Sequence, residues 1–289
     1  MLKRAIRWGV RTMRQWMQEE PVDPAWLLES DFVSEQINYR LLHLLKKQPD
    51  LRPHFGWGVL QAAQLAKSIG IPRISAIEFG VAGGNGLVSL ERTAAEVEQI
   101  FGIGIDVFGF DTGAGLPPPR DYRDLPNLYR RAGFPMDQEK LRRRLKKARL
   151  IIGDVGETIG GFIESGPAHV GFVSIDVDLF TSTMAAFKLF DGGTDVLMPR
   201  VYCYLDDILG ETFSEFTGER LAVSEFNAAH NMRKISPIFG LRYFLRGNHQ
   251  TEAWPDQMFI AHLFDHQLYG AYEASAKDAG GWAELPPTA

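Results

Sequence analysis

The amino-acid sequence predicts an α/β fold, a seven-stranded and mostly parallel sheet with helices on both faces, and three observations carry that prediction. Five short runs, RISAIEFG, IDVFGFD, RLIIGD, VGFVSID and VYCYLDD, are rich in β-branched and aromatic residues, and most close on a carboxylate. Segments of helical patterning separate most of them, and strands that alternate with helices pair in parallel beneath helices on both faces. Two further runs, GLRYFLRG and QMFIAHLFDH, follow without a convincing helix between them, which predicts an antiparallel strand pair at the sheet edge. Such a sheet turns the carboxyl ends of its strands toward one crevice, where ligands bind.

Helical periodicity comes first along the chain, in DFVSEQINYRLLHLLKKQ and PHFGWGVLQAAQLAKSIG, and gives way to short apolar runs at Ile74. Residues 1–70 therefore read as an N-terminal helical extension or lid and residues 71–270 as the main domain. Residues 271–289, small and proline-rich, read as a flexible tail. In the first eighteen residues Lys3, Arg4, Arg7, Arg11 and Arg14 alternate with Ile6, Trp8, Val10, Met13 and Trp16. That stretch lacks the uninterrupted apolar core of a signal peptide or membrane span, so no stable membrane insertion is expected. As an amphipathic helix it packs on its own domain, joins a sister subunit in a homo-oligomer built through the N-terminal helices, or lies on acidic lipid.

Composition narrows the function class. A chain of 289 residues that is 45% hydrophobic can bury a large core. Its net charge of −5 argues against a nucleic-acid binder, which normally needs a basic excess to release counterions. The single cysteine, Cys203, excludes an internal disulfide framework and a multi-cysteine zinc site, and fits the cytoplasm.

The first candidate strand ends in AIEFGVAGGNG, residues 76–86, where Glu78 precedes Gly80, Gly83, Gly84 and Gly86. Glycines at a strand-to-helix turn let the backbone approach a ligand closely. The turn lacks the lysine and hydroxyl residue of a phosphate-binding P-loop and departs from G-x-G-x-x-G; it reads as E-x-G-x-x-x-G. Glycine turns also serve close packing alone, so later strand ends must supply the discrimination.

With that turn, GFDTGAGLP and LIIGDVGET the chain resembles the class I S-adenosylmethionine-dependent methyltransferases, a Rossmann-like fold, though Ala82 stands where a glycine is commonest. The resemblance implies S-adenosylmethionine as cofactor. It places Glu78, Gly80, Val81, Gly84 and Asn85 at the methionine and ribose portions, Asp111 and Thr112 at the ribose, and Asp154 and Val155 at the adenine. A carboxylate suits a vicinal diol because it accepts two hydrogen bonds. Asp106 rivals Asp111 but falls at the start of its strand, away from the crevice. More narrowly, GFDTGAGLP and SIDVDLFTSTM look like D-[ST]-F-E-G-L-P and D-G-D-L-Y-x-S-T-M of the macrocin O-methyltransferase-like group, over residues 74 to 210. Gly113, Ala114 and Phe180 depart from that pattern on the acceptor side.

Asp176 closes the fourth run, and Asp206 and Asp207 close the fifth. Three carboxylates on neighbouring strand ends repel one another without a cation, and hard oxygen ligands suit Mg²⁺ or another divalent ion. The resemblance implies the same three residues as metal ligands. The competing reading is that strand-ending aspartates cap the helices that follow. Asp178 reads as a fourth ligand, a general base or a solvent-facing group; Leu179 stands where catechol-type enzymes carry a lysine base. Among histidines His230 is the best-placed base candidate, while His262 and His266, four apart on a predicted strand, lie about 13 Å apart and cannot share a metal. Asp176, Asp178 and His230 are the catalytic candidates.

The basic run KLRRRLKKARL reads as the wet face of a crossover helix. GLPPPRDYRDLPNLYRRAGFPMD is too long for a simple connection and reads as a lid or an ordered flap, with Tyr122, Tyr129 and Phe134 toward a flat or hydrophobic acceptor. The whole predicts metal-assisted O-methylation of a small, natural-product-like hydroxyl compound. Two alternatives stand: metal-independent N- or C-methylation, and a non-catalytic binding or assembly module on the same fold.

Overall fold

The computed structural model describes residues 33–210, 214–245 and 247–271. Seven strands, β1 (Arg73–Phe79), β2 (Gly104–Asp111), β3 (Arg149–Ile152), β4 (His169–Ile175), β5 (Leu197–Leu205), β6 (Arg233–Pro237) and β7 (Met258–Leu263), form one sheet in the order β3-β2-β1-β4-β5-β7-β6. β1 pairs in parallel with both β2 and β4, and β3 and β5 extend the parallel set. β7 runs antiparallel to β5 and β6 and lies between them. The order reverses between β1 and β4, which makes that point the ligand crevice of a doubly wound sheet.

Helices α1 (Val33–Lys47), α2 (Pro53–Ser68) and α3 (Asn85–Phe101) pack together, α2 against β1, β4 and β5. Helices α5 (Val155–Glu164), α6 (Phe180–Phe187) and α7 (Gly218–Ala229) form a second contiguous set, and a short α4 (Gln138–Arg144) precedes β3. β1 and β4 are buried along nearly their whole length, which is why their sequences are apolar without alternation. Position 58 of α2 has room for no side chain, since a Cβ there would overlap the Phe172 ring of β4. α2 thus belongs to the core of the main domain, although it precedes the residue-71 boundary expected from periodicity.

The antiparallel edge pair exists, but one of its strands differs from the expected one. GLRYFLRG forms the short helix α8 (Leu241–Phe244), entered through Gly240 at φ 74°, and its exposed Tyr243 and Phe244 give it the apolar look of a strand. The partner of β7 is RKISP instead, five residues with two leading cations. The basic run also ends as a helix earlier than expected, at Arg144. There the buried Glu91 carboxylate accepts hydrogen bonds from the backbone N–H groups of Lys146, Lys147 and Ala148, which draws the chain out of helical geometry. The first eighteen residues and the tail beyond residue 271 lie outside the described residues. Among the described residues no helix is long and apolar enough to cross a membrane.

Candidate active site

The glycine turn after β1 is held open by its neighbours. Gly80 has φ 84° and Gly84 φ 80°, and a Cβ at Gly84 would overlap the Leu141 side chain of α4. Ala82 occupies the left-handed region at φ 44°, so the position where the sequence departs from the glycine pattern keeps a glycine-like backbone. Asp111, at the end of β2, fastens the turn: its Oδ2 accepts from the N–H groups of Val81 (2.9 Å) and Ala82 (2.8 Å), and its Oδ1 from Gly113 (2.6 Å). Arg144 clasps the other side, donating to the Gly83 carbonyl (3.1 Å) and the Asn85 side chain (2.8 Å). Thr112 turns back on its own loop, donating to the Gly115 carbonyl at 2.7 Å.

This turn floors a cavity of about 950 Å³ at the carboxyl ends of the strands. Glu78, Gly80, Val81, Gly84, Asn85, Asp111, Thr112, Asp154, Val155, Asp176, Asp178, Asp206 and His230 all line it, so the structure gathers at one place the cofactor-binding and catalytic candidates and two of the three metal candidates. Asp207 does not line the cavity but joins its acidic wall. Asp106 sits at the start of β2 in ion pairs with Arg73 and Arg149, away from the cavity. Asp154 is exposed at the N-cap of α5 and accepts from the Gly156 N–H at 2.7 Å, so it both caps a helix and faces the cavity.

Glu78 is 2% exposed, its Oε1 lies 3.9 Å from Arg52 Nη1, and its Oε2 has no hydrogen-bond partner. Burial, then the charges of Asp176 and Asp111, push its carboxyl well above the usual range, against the pull of Arg52. Arg52, at the entrance to α2, also lines the cavity. Two residues further, half-buried His54 stacks on Tyr204 at 3.9 Å between ring centres; desolvation, then Arg52, lower its pKa to about 3. Tyr204 in turn donates to Asp206 Oδ1 at 2.5 Å. The RPH segment at residues 52–54 carries no motif, and only its charge beside an apolar helix start signals a role.

The acidic wall contains Asp176, Asp178, Asp206, Asp207 and, unanticipated, Glu219. Asp206 and Asp207 sit in the 3-10 turn (Asp206–Ile208) that follows β5. Asp178 holds a left-handed backbone at φ 60°, and its N–H donates to Asp207 Oδ2 at 3.0 Å. Burial, followed by the neighbouring carboxylates Asp206, Asp207 and Asp178, raises the Asp176 pKa to about 8. The same causes raise Asp207 to about 7 and Asp178 to about 6, opposed at both by the Tyr129 hydroxyl. Tyr129 donates to Asp207 Oδ1 at 3.1 Å.

Tyr129 arrives on the long β2–β3 connection, which is an ordered wall. Buried Asp124 pins it to α6, accepting from the Thr181 N–H (2.8 Å) and hydroxyl (3.1 Å) and from the Arg120 N–H (2.8 Å). Phe134 lines the cavity from the same connection, while Tyr122 points to solvent with 68% exposure. His230 occupies a different wall, stacked on Phe226 with both ring nitrogens engaged, 2.8 Å from the Phe226 carbonyl and 2.9 Å from Asp191. His262 is on β7 and His266 beyond its end, where its Nε2 lies 3.1 Å from the Thr194 carbonyl oxygen.

The predicted metal ligands thus share one acidic neighbourhood, each of Asp176 and Asp207 raised in pKa by burial and by its carboxylate neighbours. As they stand, no group of three or more His, Cys, Asp or Glu side chains among the described residues is arranged to hold an ion. The donor chemistry nonetheless suits a hard cation: carboxylates that raise one another's pKa, and a fully buried Glu219 whose two oxygens lack partners.

No protein-family model and no curated protein matches the chain. Among solved structures it is similar to CalS11, a calicheamicin methyltransferase, with 20% identity and a TM-score of 0.47 over 77% of this chain and 95% of that one. It is similar to the O-methyltransferase NovP with 17% identity and a TM-score of 0.45, over 60% of this chain and 72% of that one. A Bacillus cereus O-methyltransferase in complex with SAH gives 14% identity and a TM-score of 0.39, over 77% of this chain and 89% of that one.

Proposed function

We propose that the chain is an S-adenosylmethionine-dependent methyltransferase that methylates a hydroxyl oxygen of a small molecule with the help of a divalent cation. One observation carries this reading: a bare left-handed turn at the switch point of the sheet, braced by Asp111, opens into the same cavity as a set of carboxylates one and two strands away.

When bound, S-adenosylmethionine supplies its sulfonium methyl group and leaves as the thioether. The unpartnered Oε2 of Glu78 suits its ammonium, and a buried carboxylate oxygen that gains a charged donor gains more than an exposed one would. Asp111 spends both lone pairs of Oδ2 and one of Oδ1 on the turn and keeps the remaining one on Oδ1 for a ribose hydroxyl. Asp154 and Val155, at the start of α5, wall the adenine side.

Asp176, Asp206 and Asp207 are the residues that would hold the cation, which would lower the pKa of the acceptor hydroxyl and orient its oxygen. Asp178 is assigned as the base. It opens on the cavity, where its carboxylate can take the proton of an acceptor hydroxyl. His230 is set aside for this step because both its ring nitrogens are already engaged. A buried, free Cys203 accords with a cytoplasmic site of action.

The test is transfer itself. The full chain is incubated with S-adenosylmethionine and a panel of phenols, catechols and sugars, with and without Mg²⁺ or chelator, and products are read by mass spectrometry. A methylated hydroxyl formed only with the cation supports the reading. Chelator-insensitive methylation of nitrogen or carbon replaces it with the metal-independent one, and cofactor binding without product across the panel replaces it with the binding module.

A further inference from the structure

Arg52 stands at the N-cap of α2 and lines the cavity together with Glu78. Its main chain is fixed on both sides: the N–H donates to the Ser89 hydroxyl of α3 at 3.0 Å, and the carbonyl accepts from the Gly56 N–H at 3.1 Å. The guanidinium carbon lies 5.2 Å from the centre of the Phe55 ring. Among the described residues none accepts a hydrogen bond from that guanidinium, since Glu78 Oε1 at 3.9 Å is too far for one.

Gly86, the second residue of α3, brings both side chains to a helix start. A Cβ there would lie 1.7 Å from Glu78 Oε1 and 3.1 Å from Arg52 Nη1, so the bare backbone is what leaves both groups room at the first turn. That turn carries no side-chain cap and no acidic residue, and its unpaired N–H groups and helix dipole favour an anion. Glu78, by contrast, is 2% exposed with Oε2 unpartnered, and wants a cationic donor. A lone cation at Glu78 would leave the guanidinium beside it unanswered, and a lone anion at Arg52 would leave Oε2 buried without a partner. An α-amino acid group carries an ammonium and a carboxylate on one carbon and answers both at once.

We propose that Arg52, with the free amides at the start of α3, holds the methionine carboxylate of S-adenosylmethionine and so makes the site selective for a cofactor whose amino-acid group is intact. It rests on the S-adenosylmethionine reading and is independent of the cation. A guanidinium can meet a carboxylate with two parallel N–H donors, which a lysine cannot reproduce.

The experiment measures by calorimetry the binding of S-adenosylhomocysteine and of its decarboxylated amine, which keeps the ammonium and lacks only the carboxylate. The full chain is compared with Arg52→Gln, Arg52→Lys and Glu78→Gln, each with a thermal melt. In the wild type the amine should bind at least about tenfold more weakly than S-adenosylhomocysteine. Arg52→Gln should weaken S-adenosylhomocysteine by at least about tenfold and leave the amine within about twofold of its wild-type affinity, with Arg52→Lys between the two. Glu78→Gln should weaken both ligands. Equal losses for both ligands in Arg52→Gln would make Arg52 only a counter-ion of Glu78 and overturn the inference. Unchanged S-adenosylhomocysteine affinity in a folded Arg52→Gln overturns it as well, and Arg52→Lys decides by the same comparison if Arg52→Gln does not fold. No saturable binding of S-adenosylhomocysteine to the wild type overturns the S-adenosylmethionine reading itself, and the inference with it.

Discussion

The main-chain carbonyl of Asp176 occupies the space where a side chain of residue 80 would begin. Two neighbouring parallel strands are therefore joined at their carboxyl ends more closely than any residue but glycine allows, and the Asp176 N–H donates to the Phe79 carbonyl across the same gap at 2.9 Å. The glycine turn and the acidic wall share one cavity because of this contact.

Gly80→Ala tests the relationship. Alanine must adopt φ 84° and displace backbone, so unfolding free energy should fall by about 2 kcal/mol or more. S-adenosylmethionine affinity should fall with it. Denaturant melts and calorimetry on the same sample check both; an unchanged melt contradicts the contact.

Asp111→Ala should loosen the turn rather than unfold the protein. It strands the Val81, Ala82 and Gly113 N–H groups, each worth about 1–3 kcal/mol if left unsatisfied and less if water reaches them. The expected outcome is cofactor affinity at least about tenfold weaker with a cooperative melt retained, measured by calorimetry and circular dichroism.

Tyr129→Phe removes the hydroxyl that donates to Asp207 and keeps the pKa values of Asp207 and Asp178 down. In chelated protein both carboxyls then ionise at higher pH, while cofactor affinity stays at the wild-type level. An NMR titration of the carboxyl carbons across pH 5–9, about two units either side of Asp207, would show the shift, and unchanged midpoints would contradict it.

In chelated protein the same wall predicts a pH-dependent stability. Asp178, Asp207 and Asp176 titrate at about 6, 7 and 8 in the folded chain, above the roughly 3.9 of an unfolded aspartate. The folded state therefore binds more protons than the unfolded one, and stability falls as pH rises through this window. The melting temperature should drop between about pH 5 and pH 8, and Asp176→Asn should flatten the drop. A melting temperature that rises over that range refutes the arrangement of charges.

Much of this was legible in the sequence because parallel strands buried on both faces are continuous apolar runs that end abruptly, as RISAIEF and HVGFVSI do. Their terminal carboxylates mark where the ligand side begins. β6 escaped because RKISP is short, polar and paired with only one neighbour, whereas the aromatics of α8 imitate a strand while lying exposed. The candidate site was legible where chemistry stands in a motif, as at Asp176 and Asp206. Arg52, His54 and Glu219 were not, since their positions come from which helix end folds against the strand ends and from what surrounds them there. Ala82 is intermediate: its residue type suggests a break in the pattern, and its backbone at φ 44° preserves the turn.

The most direct measurement of the central claim is calorimetric titration of S-adenosylmethionine into the full chain, with Asp111→Ala and Gly80→Ala in parallel. Saturable one-to-one binding that both substitutions weaken is the predicted result. No saturable binding to the wild-type chain in the presence of Mg²⁺, or binding that neither substitution alters, contradicts the account.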